Sequence, residues 1–415
     1  MSHQYVKIFS IVILLWSLMS CSKDNSVNVP DFQASGKLAS SISVSSATIR
    51  LLDGVYDVIG GSEQFGKFIV IKSSGTTISI LTGKNAGLFV MKYGRIDSAL
   101  LFEGYWRYTQ GSETGLARFE IPASEGGAAL LQGITPDQLM KFRGVIGDGN
   151  ADPATPVSFR YNRPLKDTSF SILAHRGGGR NSDRLPESEN SLGIIQLAEQ
   201  FGANGIEIDV RLTSDGVPIL FHDENFSPRL VNGEYCIGPV SNYTFAAIRT
   251  LCTLKNGERV PTLREALDIV ISKTTLQTVW LDTKSPDAIA AIAAIQNEYK
   301  QKASDAGRSV EILIGLSTDE LVNEYKRENL QNSNDALCEL SPNDVRSVQA
   351  KAWAPRWTLG PLPEDAAQMK AEGRKTFVWT LDQKEFILPF ITDGKVDGIL
   401  TNYPALVAFE YYVLQ

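Results

Sequence analysis

The apolar residues of this 415-residue chain change their spacing once, near residue 165, and that change limits the folds open to it. Before it, short apolar runs come at regular intervals: Phe68-Ile69-Val70-Ile71, Thr77-Ile78-Ser79-Ile80-Leu81, Leu88-Phe89-Val90-Met91, Leu100-Leu101-Phe102 and Ala117-Arg118-Phe119-Glu120-Ile121, with turn signals at Ser74-Gly75, Tyr93-Gly94 and Gln110-Gly111. Evenly spaced strands and turns predict an all-β domain over 47–165, closed as a small barrel or packed as a sandwich. Residues 144–168, rich in Gly, Asp, Pro and Asn, form the junction. Beyond it, strand-like runs at 171–175, 205–211, 218–222, 278–282, 310–316, 336–340, 376–381 and 397–401 alternate with helix-like segments, among them 190–202, 262–272, 286–304, 318–328 and 363–373. Alternation sustained this long predicts an α/β domain over 166–415, a distorted TIM (β/α)8 barrel rather than an open sheet.

One connection departs from that rhythm. Only Ser214-Asp215-Gly216-Val217 separates two strand-like runs, too few residues for a parallel crossover, so the runs pair antiparallel. Centring the hairpin on this turn places Asp209 opposite His222.

Composition is that of a folded globular protein, 43% apolar and 21% charged. Lys and Arg number 40 against 47 Asp and Glu, a net charge of −7 with no basic run to offset it, which excludes binding to nucleic acid through phosphate neutralisation. Residues 1–20 carry one cation, Lys7, ahead of the apolar run Ile8–Trp16, the build of an export signal rather than a membrane span. The run ends in Leu18-Met19-Ser20-Cys21, which resembles a bacterial lipobox. That resemblance implies a lipid-modified Cys21, a membrane partner reached through acyl chains, and a place in the bacterial cell envelope, on the periplasmic side or the outer-membrane surface. Residues 21–46, Ser/Asn/Asp-rich, read as a flexible tether. Cys236 and Cys252 share a loop-like region and either pair or stay free; Cys338, in an apolar stretch, reads as a buried small hydrophobe.

The chemistry-bearing residues lie in the second domain. Histidine occurs only at 3, 175 and 222, and the last two each stand at the end of a short apolar strand beside a charged residue. Two strand-end imidazoles are candidates for acid/base work. Glu207 and Asp209, two apart on a strand, share one face, while Ile206, Ile208 and Val210 share the other. Two carboxylates aimed into a barrel repel each other unless a hard divalent cation, Mg²⁺ or Ca²⁺, or a base such as Arg211 compensates them. Asp282 and Lys284 repeat the two-residue spacing on the next strand. Arg176, Lys284 and a cation together suit a phosphate, so the metal and an anionic small-molecule phosphodiester support each other. The first domain has no histidine and no catalytic cluster, and a binding or spacer role is expected of it; its opening Leu52-Asp53-Gly54-Val55-Tyr56 faintly resembles lipocalin-like barrels.

Ala174-His175-Arg176-Gly177, Glu189-Asn190-Ser191, Gly205-Ile206-Glu207-Ile208-Asp209, Thr213-Ser214-Asp215-Gly216, His222-Asp223, Pro261-Thr262-Leu263-Arg264-Glu265-Ala266-Leu267, Val378-Trp379-Thr380-Leu381-Asp382 and Asp397-Gly398-Ile399-Leu400-Thr401-Asn402-Tyr403-Pro404 occur in the order in which the glycerophosphodiester phosphodiesterase family carries similar motifs. The resemblance covers about residues 170–410. It implies a metal-dependent hydrolase with His175 and His222 as general acid and base. Glu207, Asp209 and Asp282 would bind the metal, Arg176 and Lys284 the phosphate, and Trp379 would line the alcohol side. It further implies attack by the substrate's own neighbouring hydroxyl to give a cyclic phosphate that water then opens. Asp282 stands where the family usually has Glu, Asp382 where Asn is common and Asn402 where Asp is frequent, and 224–230 lacks the usual Leu-Asp-Arg-Thr-Thr run. A phospholipase C- or D-like enzyme on intact lipid, and a surface lipoprotein with a non-catalytic barrel, are the competing readings.

Overall fold

The computed structural model describes residues 29–30, 32–33, 35–166 and 169–414; residues 1–20, expected to be an export signal, and Cys21 lie outside them. Eight antiparallel strands, Gly54–Gly60, Phe68–Ser74, Thr77–Thr82, Gly87–Ile96, Ala99–Tyr108, Thr114–Ile121, Lys141–Ile146 and Thr155–Pro164, pair in chain order, and the last closes on the first. The first domain is therefore a barrel and not a sandwich. Ile69, Ile71, Ile78, Ile80, Phe89 and Phe102 meet in one aromatic-rich core. The intervening Val70, Leu81, Leu88 and Val90 belong to a second core. This is why these strands read as continuous apolar runs instead of strict alternations: both faces are covered.

Eight parallel strands form the second barrel: Ser171–Ala174, Gly205–Leu212, Thr278–Thr283, Glu311–Leu316, Ala336–Cys338, Ala352–Trp353, Lys375–Val378 and Gly398–Thr401. Each pairs with the next, and Gly398–Thr401 returns to Ser171–Ala174. The strand Ala352–Trp353 is absent from the sequence expectations, because a two-residue strand between Lys351 and Pro355 leaves no apolar run to recognise. Pro218–Leu220 adds antiparallel to Gly205–Leu212, as the short turn requires, but the register differs by one residue. Asp209 is bonded across to Phe221, whose N–H donates to its carbonyl at 3.1 Å, and not to His222. The hairpin closes on Thr213 and Val217 with Gly216 at φ +76°, a three-residue turn ending in a left-handed glycine, where the expectation assumed one residue more.

The two barrels share a core. The helix Pro404–Leu414 buries Ala405, Leu406, Val407, Ala408, Phe409 and Tyr412, together with Glu410, which Lys384 pairs at 2.9 Å, as befits a helix packed on two sides. It lies between Val70, Leu81 and Leu88 of the first barrel and Phe170, Ile172 and Phe201 of the second. Arg163 of the first barrel caps its end, donating to the Tyr412 and Val413 carbonyls at 3.2 and 2.9 Å. Arg107, also from the first barrel and 1% exposed, donates to the carbonyls of Arg184 and Asp183.

The tether expectation ends early. The Ser35 N–H donates to Glu103 at 2.7 Å, Gly36–Ala39 is a helical turn with Leu38 buried, and Ile42 bridges Arg95. From residue 35 the chain is bound to the outside of the first barrel. Cys236 and Cys252 form a disulfide within the insert that follows Pro218–Leu220, and Cys338 is buried and free. Among the described residues no helix is long and apolar enough to cross a membrane.

Candidate active site

Leu173, Trp280, Leu313, Leu337, Ala354, Phe377 and Leu400 fill the lumen of the parallel barrel as one apolar layer. Strand residues two apart share a face. Two positions toward the C-terminal end of these strands, the same inward face offers His175, Asp282, Glu339, Arg356, Trp379 and Asn402. A cleft of about 700 Å³ opens there, lined by His175, Arg176, Glu207, His222, Asp282 and Lys284 on one side and reaching Glu339, Arg356 and Trp379 on the other. The C-terminal end of the strands is where barrels of this type hold their sites.

Both histidines among the described residues, His175 and His222, face the cleft, with different partners. His175 Nδ1 lies 2.7 Å from Asn402 Oδ1. The Asn402 amide nitrogen is already engaged, donating to Asp382 at 2.6 Å, so its oxygen faces the ring and His175 Nδ1 must carry the proton. Nε2 is then the free base, 3.8 Å from a Glu207 oxygen. Burial, reinforced by the adjacent Arg176 guanidinium, lowers the His175 pKa below the usual imidazole range and favours the neutral ring. His222 Nδ1 instead lies 2.7 Å from the Asp223 carboxylate, which Arg229 also holds at 2.7 Å.

Glu207 and Asp209 share the inward face and are buried, while Ile206, Ile208 and Val210 pack outward into the main core, as the spacing predicts. Glu207, Asp209 and Asp282 each offer an oxygen within 4.8 Å of the others. One Glu207 oxygen accepts the Arg176 N–H at 2.8 Å; the other is buried without a hydrogen-bond partner. Burial, with Asp209 and Asp282 adding to it, pushes the Glu207 pKa well up. Burial also works against ionised Asp209, but Lys284, His222 and Arg176 outweigh it and hold that carboxyl well below its ordinary value. An orphaned buried oxygen among three converging carboxylates fits a hard divalent cation, and the shorter Asp282 still reaches the group. Arg211, the alternative counter-ion, turns away and donates to the His222 carbonyl.

Lys284 Nζ stands 2.7 Å from Asp209 and 2.5 Å from Asp282; burial opposes its charge, yet these carboxylates raise its pKa and keep it protonated. Arg176 is buried and bonded to Glu189 at 2.6 Å, with its Nε free of a hydrogen bond 3.9 Å from Asp209. Trp379 lines the cleft with its indole N–H fixed on the Ala354 carbonyl at 2.8 Å.

Several residues have roles that sequence reasoning missed. Asn190 donates to Asp209 at 2.7 Å and accepts its N–H at 3.1 Å, fixing the carboxylate from behind. Asp382 and Asn402 stood out only as departures from a pattern, not as the support of His175. Glu339, whose pKa burial and then Asp282 push up to about 8, and Arg356 follow from counting two residues on from Leu337 and Ala354.

The family profile described as Glycerophosphoryl diester phosphodiesterase family matches residues 175–406. A glycerophosphodiester phosphodiesterase of Caldanaerobacter subterraneus subsp. tengcongensis is 30% identical over 242 residues, 56% of this chain and 94% of the relative. One from Bacillus subtilis is 27% identical over 282 residues, 61% of this chain and 90% of the relative. Among solved structures, a glycerophosphodiester phosphodiesterase from Agrobacterium tumefaciens superposes with a TM-score of 0.45 at 23% identity, covering 58% of this chain and 99% of that one. The matched span contains both histidines, all three carboxylates and Lys284, and the chain belongs to the glycerophosphoryl diester phosphodiesterase family.

Proposed function

We propose that residues 166–415 hydrolyse a glycerophosphodiester to an alcohol and glycerol 3-phosphate, with His175 and His222 as base and acid and a divalent cation, Ca²⁺ or Mg²⁺, held by Glu207, Asp209 and Asp282. The observation that carries this reading is the unequal support of two imidazoles on one cleft: His175 on a neutral amide oxygen, His222 on a carboxylate. The amide oxygen on Nδ1 leaves His175 Nε2 free to start as the base, and His222, its ring oriented by Asp223, starts as the acid.

In the first step His175 Nε2 takes the proton of the glycerol hydroxyl next to the phosphate as that oxygen bonds to phosphorus. His222 gives its proton to the departing alcohol, and a cyclic phosphate remains. In the second, His222, now neutral, takes a proton from the attacking water while His175 returns its own to the glycerol oxygen that leaves phosphorus, which yields glycerol 3-phosphate and resets both rings. The Arg176 and Lys284 cations hold the phosphate oxygens, and Trp379 walls the alcohol side. The cation, when bound, supplies electrostatic stabilisation of the phosphate.

A lipid anchor at Cys21 and a cell-envelope location complete the proposal. The lipobox-like Leu18-Met19-Ser20-Cys21 supports them, and the Cys236–Cys252 disulfide fits an oxidising compartment.

With glycerophosphoglycerol as substrate, His175→Ala and His222→Ala are each expected to lower turnover about 10²–10⁴-fold without loss of the folded spectrum. Excess chelator should stop the reaction, and Ca²⁺ or Mg²⁺ restore it. Near-normal turnover in either variant removes the acid/base assignment, and full activity in chelator removes the metal.

A further inference from the structure

In strand order around the ring, Ala352–Trp353 stands four places from Gly205–Leu212, so it lies on the far side of an eight-stranded barrel. Arg356, just beyond it, therefore lines the cleft on the wall opposite Glu207, away from where the proposed site would hold the scissile phosphate. The cleft's other two cations are already bound, Arg176 to Glu189 and Lys284 to Asp209 and Asp282. Arg356 forms no ion pair among the described residues; its guanidinium lies 4.9 Å from the centre of the Trp379 ring. That ring is a fixed platform, held by the Ala354 carbonyl through its indole N–H. Of the two remaining carboxylates of the cleft, Glu320 is tied to Thr318 and to the backbone at its own helix terminus, and Glu339, which feels the Arg356 charge only after burial, Asp282 and Lys284, makes no ion pair with it.

A guanidinium on the face of Trp379 covers the surface that a quaternary ammonium would use and repels such a group. It also offers in-plane N–H donors to a second anion, for which Arg is well shaped. We propose that Arg356 and Trp379 form a subsite for a negatively charged group on the departing alcohol, so that the preferred substrates are glycerophosphodiesters carrying a second phosphate or carboxylate. This rests on the phosphodiesterase reading above and names the substrate class of the same cleft.

The test compares kcat/KM for three diesters at saturating Ca²⁺: glycerophosphocholine, glycerophosphoglycerol, and bis(glycerophospho)glycerol, whose departing alcohol bears another phosphodiester. The wild type is expected to favour bis(glycerophospho)glycerol over glycerophosphocholine by about tenfold or more, one charge-assisted contact's worth. The preference should shrink as NaCl is added, because the subsite is at the solvent-facing mouth. Arg356→Gln should bring the ratio close to one, Arg356→Glu should invert it, and Arg356→Lys should keep most of it. The same ratio in wild type and Arg356→Gln, a salt-independent ratio, or a wild-type preference for glycerophosphocholine would each overturn the subsite while leaving the phosphodiesterase reading intact. No turnover of any of the three overturns that reading, and the subsite with it.

Discussion

Asn402 places a neutral amide where His175 would otherwise meet the Asp382 carboxylate. Asp382 accepts the Asn402 N–H at 2.8 Å, its side-chain amide at 2.6 Å and the Thr401 hydroxyl at 3.1 Å, so the amide cannot turn over. In the role proposed for it, His175 must be deprotonated to act as the base, and its pKa is lowered, so the acidic limb of kcat/KM should fall below the ordinary imidazole pKa of about 6.5. Asn402→Asp sets a carboxylate against Nδ1, raises the folded-state pKa and should move that limb to higher pH by about one unit or more. A pH–rate profile checks it; an unmoved limb would mean that another group is the base. The histidines were legible in the sequence because the residue type is scarce and both end short apolar strands, and the carboxylates because Glu207 and Asp209 stand two apart on one strand face. Asn402 and Asp382 were legible only as substitutions, since what an amide does depends on which way it faces. Arg356 was not legible, because its strand is too short to show a period.

The insert between Pro218–Leu220 and the helix Leu263–Lys273 is an element of its own, with a small core of Phe221, Phe226, Leu230, Val240 and Ile248 around the disulfide. It also delivers Arg229 to Asp223, the carboxylate on His222. Cys236 and Cys252 are 16 residues apart, and closing a loop of that length contributes about 3 kcal/mol. The Cys236→Ser/Cys252→Ser double variant should therefore open the insert locally. Limited proteolysis is expected to cut near Tyr235, which is already exposed, well before the rest of the chain, and reduction of the wild type should do the same. Equal cleavage rates in the oxidised and variant proteins would show that the small core alone holds the insert. Elements of this size are where the sequence was least informative. Its hairpin was evident from the short turn, yet the one-residue register was decided by Gly216 adopting positive φ, which spacing does not encode.

At the scale of the whole molecule the two barrels share one core, and they are expected to unfold together. An independent spacer would leave its neighbour's surface polar; here Val70, Leu81 and Leu88 of the first barrel and Ala405 to Phe409 of the helix Pro404–Leu414 belong to one core. Calorimetry should show a single unfolding transition, and Phe409→Ala, which removes a ring packed against Gly83 of the first barrel, should destabilise both barrels together by about 3 kcal/mol. Two separated transitions would return the first barrel to the role of a spacer. The change of period near residue 165 announced two architectures; the continuous apolar runs at 68–71 and 88–91 were the available sign that they share a face. Arg107 carries a consequence for loop motion. With its guanidinium locked into the loop at 183–184 from the neighbouring barrel, that loop cannot swing away from the first barrel without giving up two hydrogen bonds to a buried cation.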